Sequence, residues 1–576
     1  MKYIFKKVFA IAIIMASIFF LSACDGKKGE LVVCVGPNPA TIDPALNSAV
    51  DGATIIVHTF AGLVGYKQVD DKLELVPDCA TALPEPEELE DGKIKYVFTL
   101  KEGLKWSDGT PLTAHDFEYA WKRAAADETG SDYAYMFDVI DGFGTKNLNV
   151  AASEDGKKLT VVLKNYVPYF YELCAFPTYF PVKKDVVEAN PETWATKPKT
   201  YISNGPYKMT YWKDNSKIVV EKNEHYHNAD EIKINSIEFA LSDDDNAILA
   251  GYLNGKYLLI DTVPNNEISQ LKKDYPNEFV VAGQLGTYYI CFNVNDDELY
   301  GDIVTDEVKK ANVRKALGLL IDRNHVAEEI GQAGEVPANS YVPIGLTEPD
   351  GKEFFSKNGP ERNGEGYYSV AKTDYEENCD LAIQLLKDAG YAWDETSKKF
   401  TNFPEFTYMT NPRTDHEAFA AYIQDIYSRY GITMKVETQE WNTFLETRKE
   451  GNYTVARNGW LADYNDPITF LDMWTSDSGN NDCQFGKGAH ASVAIYGENK
   501  DKTWAETYDV IIGQVKSLTD QEQRFALMHE AEDLLMETGA ICPIYFYTDL
   551  YMISPKLKGF FASPLGYKYF MYAELE

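Results

Sequence analysis

The sequence predicts a mixed α/β protein, and three observations support this class. The chain has 576 residues, 45% of them hydrophobic, which is enough for a large core and for about two to four domains. Segments with apolar residues at period two alternate along the chain with segments of period 3.6. No internal repeat or low-complexity tract is visible. This pattern is typical of mixed α/β lobes and not of a helical bundle or a β-sandwich.

The first residues predict an export signal. Three lysines, an apolar run and two small residues precede a cysteine, namely Lys2, Lys6, Lys7, Val8 to Leu21, Ser22, Ala23 and Cys24. The apolar run is shorter than the about 20 residues that a permanent membrane span needs. The small residues before the cysteine are typical of a lipoprotein box, in which the Cys24 thiol receives a diacylglycerol. We expect a signal peptide at 1–23, a tether at 24–29 and a lipid anchor on the extracytoplasmic face of the cell membrane. A core helix at this position is the alternative.

Local patterns predict individual strands and helices. Thr113 and Asp116 form a near capping box ahead of a helix whose buried face carries Phe117 and Trp121. Strands are predicted at 31–35, 94–100, 217–221, 236–241, 287–294, 434–437, 453–457 and 541–548, and further helices at 376–388, 417–429 and 521–537.

Net charge and cysteine spacing argue against a nucleic-acid partner and a zinc site. The formal net charge of −34 repels phosphate backbones, so we expect no nucleic-acid partner. No two cysteines lie within four residues of each other, so the sequence has no zinc-type pair. We expect most cysteines after Cys24 to be small buried apolar residues, and the sequence does not assign a disulfide.

Motifs for catalysis or metal binding are not found in the sequence. There is no Gly-x-Ser-x-Gly elbow, no phosphate-binding loop and no His-Glu-x-x-His motif. His225-Tyr226-His227 is expected to be an exposed polar loop, and Asp243-Asp244-Asp245 a turn or helix cap, since neither has the further ligands of a metal site. We expect no enzyme activity, metal or cofactor, although a triad assembled from distant residues stays open. Aromatic clusters such as Tyr545-Phe546-Tyr547 fit a core and a recognition cleft equally well.

Longer strings carry a resemblance to a known family. They are Ile42 to Pro44, Lys105 to Pro111, Asp116-Phe117, Tyr119 to Arg123, Val167 to Tyr171, Asn204 to Tyr207, Asp322-Arg323 and Val455 to Pro467. Over nearly its whole length the mature chain resembles the oligopeptide-binding proteins of the family 5 extracellular solute-binding proteins, which are substrate-binding lipoproteins of peptide ABC transporters. The blocks 105–123 and 455–467 are the most specific part of this resemblance.

The resemblance implies a fold like that of the periplasmic binding proteins (type II, cluster C), with two hinged mixed-sheet lobes and an inserted extra lobe. Lobe I is expected to be discontinuous and to contain residues 30–66, 200–285 and 540–576. Lobe II is expected at 67–199 and lobe III at 286–539. The ligand is expected between lobes I and III, which close by a hinge motion.

The resemblance also implies roles for individual residues. Asp463 is expected to receive the α-ammonium of a peptide, since a buried amine needs a charged, hydrogen-bonding partner. Gly459 is expected to pair its backbone with the ligand, because a residue without Cβ lets another chain approach closely. The other expected contacts are Trp460, Val50, Tyr133 and Tyr547 around the peptide main chain, and Arg457, His416 and Arg448 near the carboxylate of short peptides. An ion pair with a neighbouring acid is the alternative for Arg457.

The partners implied are an oligopeptide and an ABC permease in the membrane, and the protein is expected to be a monomer. Ser48, where an enterobacterial relative has an acidic residue, and the long segment Gly351 to Tyr367 depart from the family pattern and leave the peptide length open. A nickel chelate, a glycan or a signalling peptide bound by the same fold is one alternative, and Asp463 within a full peptide-type block argues against the first two. A surface hydrolase is the other alternative.

Overall fold

The computed structural model describes residues 29–69, 72–494 and 502–576, and its centre is a large mixed β-sheet. The predicted signal peptide, Cys24 and all but the last residue of the predicted tether lie outside these residues. Within the described ranges, no helix combines the length and the apolar character that crossing a bilayer requires.

The strands form one sheet of eleven strands and five smaller sheets within the described chain. In chain order they are β1 (Glu30–Cys34), β2 (Val64–Val69), β3 (Lys72–Pro77), β4 (Glu87–Glu88), β5 (Ile94–Thr99), β6 (Val150–Ala152), β7 (Lys158–Leu163), β8 (Tyr207–Lys213), β9 (Lys217–Lys222), β10 (Ser236–Ala240), β11 (Leu259–Ile260), β12 (Phe279–Phe292), β13 (Val336–Pro337), β14 (Trp393–Asp394), β15 (Lys399–Phe400), β16 (Phe406–Thr410), β17 (Met434–Thr438), β18 (Val455–Leu461), β19 (Ile541–Ile553), β20 (Leu557–Lys558), β21 (Phe561–Ala562), β22 (Lys568–Tyr569) and β23 (Glu574–Leu575).

The α-helices pack on these sheets. In chain order they are α1 (Val50–Thr59), α2 (Ala114–Ala124), α3 (Phe170–Ala175), α4 (Lys184–Ala189), α5 (Asp245–Leu253), α6 (Ile268–Asp274), α7 (Glu307–Leu319), α8 (Arg323–His325), α9 (Tyr375–Ala389), α10 (Thr414–Arg429), α11 (Trp441–Lys449), α12 (Trp504–Ser517) and α13 (Gln521–Glu537).

Two long strands join the halves of the large sheet, whose order is β17-β16-β18-β12-β19-β11-β1-β10-β9-β8, with β13 beside β19. Strands β12 and β19 are antiparallel. Their segments 279–283 and 548–552 pair with each other beside β11, and their segments 287–291 and 541–546 pair beside β18. The register shifts between Gly283 and Thr287 and again between Tyr288 and Tyr289. The two halves therefore share two continuous strands, and the ladder between these strands is interrupted near residues 283–287.

A four-stranded sheet of order β4-β5-β7-β6 forms a second unit, and α2 packs against it. The predicted capping box of Thr113 and Asp116 begins α2, and Phe117 and Trp121 are buried as expected. The last turn of α2 contributes Arg123, which makes two hydrogen bonds of 2.9 and 2.6 Å with the buried carboxylate of Asp43. A buried ion pair with both oxygens bonded fixes geometry, so Asp43 ties this unit to the region of the large sheet.

Most predicted elements are present, and three strand predictions are too short. The strand predicted at 287–294 occupies Phe279–Phe292, the one predicted at 453–457 occupies Val455–Leu461, and the one predicted at 541–548 continues to Ile553. Asp244 caps α5 by accepting a hydrogen bond from the Ala247 amide at 3.0 Å, as expected of a helix cap. His225 is exposed as predicted, but the prediction is wrong for His227, which pairs with Asp78 at 2.8 Å with 9% of its side chain exposed. The division into lobes I, II and III stays a prediction.

Candidate functional site

Strand β18 forms one wall of the candidate site, and Asp463 follows its last residue. Antiparallel pairing with β12 places Gly459 opposite Tyr288 and Arg457 opposite Ile290. On its other edge β18 pairs with β16 only at Val455 and Ala456. From Arg457 to Leu461 no strand of the described residues pairs with this edge. A strand edge with unpaired backbone groups is a template for another extended chain.

The Asp463 carboxylate is buried, and its described partners are hydroxyl groups. It is 8% exposed, and it accepts hydrogen bonds from Tyr133 Oη at 3.0 Å and Thr469 Oγ1 at 3.1 Å. No cationic side chain of the described residues lies within ion-pairing distance of it. Burial therefore raises the pKa of Asp463 well above its ordinary value, despite the two hydroxyl donors. The site favours a cation that brings its own hydrogen-bond donors to this carboxylate.

Gly459 lies under the ring of Tyr547. A Cβ built at Gly459 would lie 2.2 Å from the Tyr547 hydroxyl oxygen, closer than any real contact. The amide of Gly459 donates to its neighbour Asn458 Oδ1 at 2.8 Å. The ring of Tyr547 makes an edge contact with Tyr288, the strand partner of Gly459, at 6.2 Å between centroids. A side chain at position 459 would therefore require Tyr547 to move.

The opposite wall brings Tyr133 and Val50 toward β18. The ring of Tyr133 lies 6.3 Å from that of Trp460, whose indole N–H is occupied by the carbonyl of Thr469 at 2.8 Å. Val50 begins α1 and is 38% exposed. A Cβ at Gly566 would meet Leu461 at 2.6 Å and Val50 at 3.8 Å, so Val50 faces the end of β18.

Arg457 is buried among aromatic rings and has an amide partner. Its Nε donates to Asn411 Oδ1 at 2.7 Å, and its guanidinium carbon lies 5.2 Å from the centroid of Trp441 and 5.0 Å from that of Phe444. No carboxylate of the described residues lies within ion-pairing distance of Arg457, so the ion-pair alternative is not observed there. Burial lowers the pKa of Arg457, although the guanidinium remains the charged form at neutral pH.

His416 and Arg448 differ in what they offer a carboxylate. His416 is 4% exposed and stacks on Tyr288, and burial lowers its pKa well below the ordinary value, so it is a neutral hydrogen-bonding group near pH 7. The guanidinium groups of Arg448 and Arg457 both lie over the ring of Phe444, each 5.0 Å from its centroid. The Nε of Arg448 also pairs with Asp482 at 2.7 Å. Arg457 is thus the less compensated of the two arginines.

Several residues of the site were not identified from the sequence. The hydroxyl of Thr469 donates to the Asp463 carboxylate and accepts from the Asp463 amide, each at 3.1 Å. Thr469 lies in the segment that follows β18. Asn411 follows β16 and orients Arg457, while the indole of Trp441 donates to Asp51 across the cleft at 2.8 Å. Thr469 lies six residues after Asp463, but the other partners are distant in sequence, and no local pattern marks them.

The chain is similar in sequence and structure to several known proteins. The sequence pattern described as "Bacterial extracellular solute-binding proteins, family 5 Middle" matches residues 74–482. The oligopeptide-binding protein OppA of Bacillus subtilis (strain 168) is 30% identical over 578 residues, covering 96% of each chain. The crystal structure of Haemophilus influenzae OppA in complex with RPPGFSPFR superposes with a TM-score of 0.80 at 26% identity, covering 96% of this chain and 99% of that one.

Two structures of MppA match the present structure to different degrees. The structure of the Escherichia coli murein tripeptide binding protein MppA superposes with a TM-score of 0.79 at 29% identity, covering 96% of this chain and 99% of that one. The unliganded open form of MppA superposes with a TM-score of only 0.58 at 28% identity, covering 96% of this chain and 98% of that one. The present structure therefore resembles this open form less closely than it resembles the other MppA structure.

Proposed function

Because the chain belongs to the bacterial extracellular solute-binding proteins of family 5, we propose that it captures oligopeptides in this cleft and delivers them to an ABC importer. The observation that carries the proposal is the buried carboxylate of Asp463, whose described donors are the hydroxyls of Tyr133 and Thr469. A free peptide offers an α-ammonium with three N–H donors, which would neutralise this charge. The peptide thus supplies the cation that the described protein residues around Asp463 do not.

The unpaired edge of β18 supports binding through the peptide main chain. An extended peptide laid along 457–461 would continue the large sheet as one more strand, with its amino end directed toward Asp463. Main-chain hydrogen bonds do not depend on side-chain identity, so such binding accepts many sequences. Gly459 presents no side chain of its own on the ligand's path.

Arg457 is the proposed receptor for the carboxylate of short peptides. It is charged, buried and oriented by Asn411, whereas His416 is neutral and Arg448 is engaged by Asp482. A carboxylate reaching Arg457 would form a charge-assisted hydrogen bond in a water-poor site. His416 would contribute a hydrogen bond only, and Arg448 would need to leave Asp482 or share its remaining donors.

Closure of lobes I and III, with lobe II as the insertion, is part of the proposal, as are the monomeric state and anchoring through lipid on Cys24. The contacts that cross the cleft, such as Trp441 to Asp51 and Tyr133 to Asp463, are those that closure would form. For the anchor, metabolic labelling with a fatty-acid analogue should mark the wild-type chain and not the Cys24→Ser variant. Undiminished labelling of that variant would contradict the anchor.

Native mass spectrometry of the gently purified protein tests the binding function. We expect the protein to carry short peptides that are released intact on denaturation, and the emptied protein to bind synthetic peptides in calorimetry. Recovery of cleaved products on incubation with peptide would favour the hydrolase alternative. Recovery of a non-peptide solute, together with no binding of peptides, would contradict the proposal.

A further inference from the structure

Two buried cysteines of the lobe III region approach each other behind the cleft. Cys291 lies in β12 and Cys483 in the loop that follows Asp482, and both side chains are fully buried. Both Phe292 N and Cys483 Sγ lie against the carbonyl oxygen of Ala540, at 2.9 and 3.6 Å. The backbone next to Cys291 and the thiol of Cys483 therefore share one acceptor.

Tyr453 brings the same two positions together from the other side. Its hydroxyl lies 3.5 Å from Cys291 Sγ and donates to the carbonyl oxygen of Asp482, the residue before Cys483, at 2.8 Å. The amide of Val294 donates to the carbonyl of Cys483 at 3.1 Å. Tyr453 on one side and Ala540 on the other thus hold Cys291 and Cys483 next to each other. No second pair of thiols among the described residues shares such contacts.

We propose that Cys291 and Cys483 form a disulfide when the protein folds in an oxidising compartment. The bond would tie β12 to the loop that carries Asp482. Asp482 pairs with Arg448 and accepts from Asn458 Nδ2 at 2.9 Å, so this loop supports β18 from behind. The disulfide would therefore fix the wall of the cleft without taking part in contacts with a ligand, and it does not depend on what the cleft binds.

The oxidant is a disulfide of a small thiol or of a dithiol protein. The Cys291 thiol loses its proton and its sulfur bonds to one sulfur of the oxidant, whose own S–S bond breaks, and the released thiolate takes up a proton. The Cys483 sulfur then displaces the second thiol, which takes the proton from Cys483. Two electrons pass from the cysteine pair to the oxidant. Because both side chains are fully buried in the folded chain, the exchange takes place before this core closes.

Mapping of disulfides by mass spectrometry tests the proposal on the full chain. The protein is refolded with oxidised and reduced glutathione, denatured with an alkylating agent and no reductant, and digested. We expect a linked peptide pair containing Cys291 and Cys483, with the other described cysteines alkylated. The matched controls are Cys483→Ser, which should leave Cys291 alkylated, and Cys379→Ser, which removes another buried thiol and should keep the link.

A second measurement uses the stability of the same samples. The oxidised wild type should unfold at a higher temperature than the reduced protein, since a cross-link restricts the unfolded chain, and reductant should not shift the Cys483→Ser variant. Alkylation of both Cys291 and Cys483 in the wild type refolded with oxidant would overturn the proposal. So would pairing of either cysteine with a different one. Neither result would affect peptide binding as a function.

Discussion

Replacing Asp463 by Asn removes the charge proposed to hold the peptide amino terminus and keeps the size of the side chain. The variant retains an oxygen that accepts from Tyr133 or Thr469, so the local packing is preserved. Burial already disfavours the charged form of Asp463 in the empty cleft, which is why its pKa is raised. We therefore expect the free energy of unfolding of the empty Asp463→Asn variant to equal or exceed that of the wild type.

The effect on binding should be large because the Asp463 carboxylate is buried. Asp463 is 8% exposed, and an ammonium buried beside an amide in its place loses its counter-charge. Stranding one member of a buried charge pair costs about 2 to 5 kcal/mol. At about 1.4 kcal/mol for each factor of ten, the dissociation constant should rise about 30-fold to about 4,000-fold.

Calorimetry with free and N-acetylated forms of one peptide isolates this interaction. Acetylation should weaken binding to the wild type by a similar factor and should change binding to Asp463→Asn little, because the charge it would pair with is gone. Asp380→Asn, the same chemical change at an exposed position of α9, is the matched control and should behave as the wild type. Equal affinity of the wild type for both peptides would refute the role assigned to Asp463.

Three further predictions concern the same cleft. Burial raises the pKa of Asp463, so burying this carboxyl against an acetylated peptide, which brings no cation, takes up a proton. The affinity for that peptide should therefore rise as the pH falls, by up to about tenfold per pH unit, and a flat profile would contradict this. Gly459→Ala should lower the free energy of unfolding by about 1 to 3 kcal/mol, because its Cβ would meet the Tyr547 hydroxyl at 2.2 Å, and Tyr547→Phe in the same chain should restore part of the loss in chemical denaturation. Tyr133→Phe should weaken binding by about 1 kcal/mol through loss of one hydrogen bond to Asp463, with unchanged affinity counting against the contact.

Elements with local signals were predicted well from the sequence. The capping box of Thr113 and Asp116 and the alternation at 94–100 depend on residues a few positions apart, so both are visible in the chain. Helix α1 was missed for the opposite reason. It begins after Ala49 without a side-chain cap, and eight of its ten residues, from Gly52 to Thr59, are buried, so no polar face marks a helical period.

The prediction of the site residues depended more on the family resemblance than on local sequence patterns. The resemblance gave Asp463, Gly459 and Arg457, but it did not give what surrounds them. Tyr133 and Asp463 are 330 positions apart, and Arg457 and Asn411 are 46 apart. Strand β18 was predicted too short because Asn458 and Gly459 have low β propensity, and its unpaired edge follows from where β16 ends. The length of β18 and its unpaired edge depend on tertiary contacts, which a local stretch of sequence does not reveal.

Strands β12 and β19 leave the two halves of the molecule very few ways to move. Sliding one strand along the other would break the whole ladder between them, whereas a twist at 283–287, where that ladder is already interrupted, would break none of it. Opening is therefore expected as rotation about a single axis, after which Gly459 and Val50 return to the same relative position. Under the proposed recognition through the peptide main chain, such a joint would restore the same spacing for the peptide backbone each time the cleft closes.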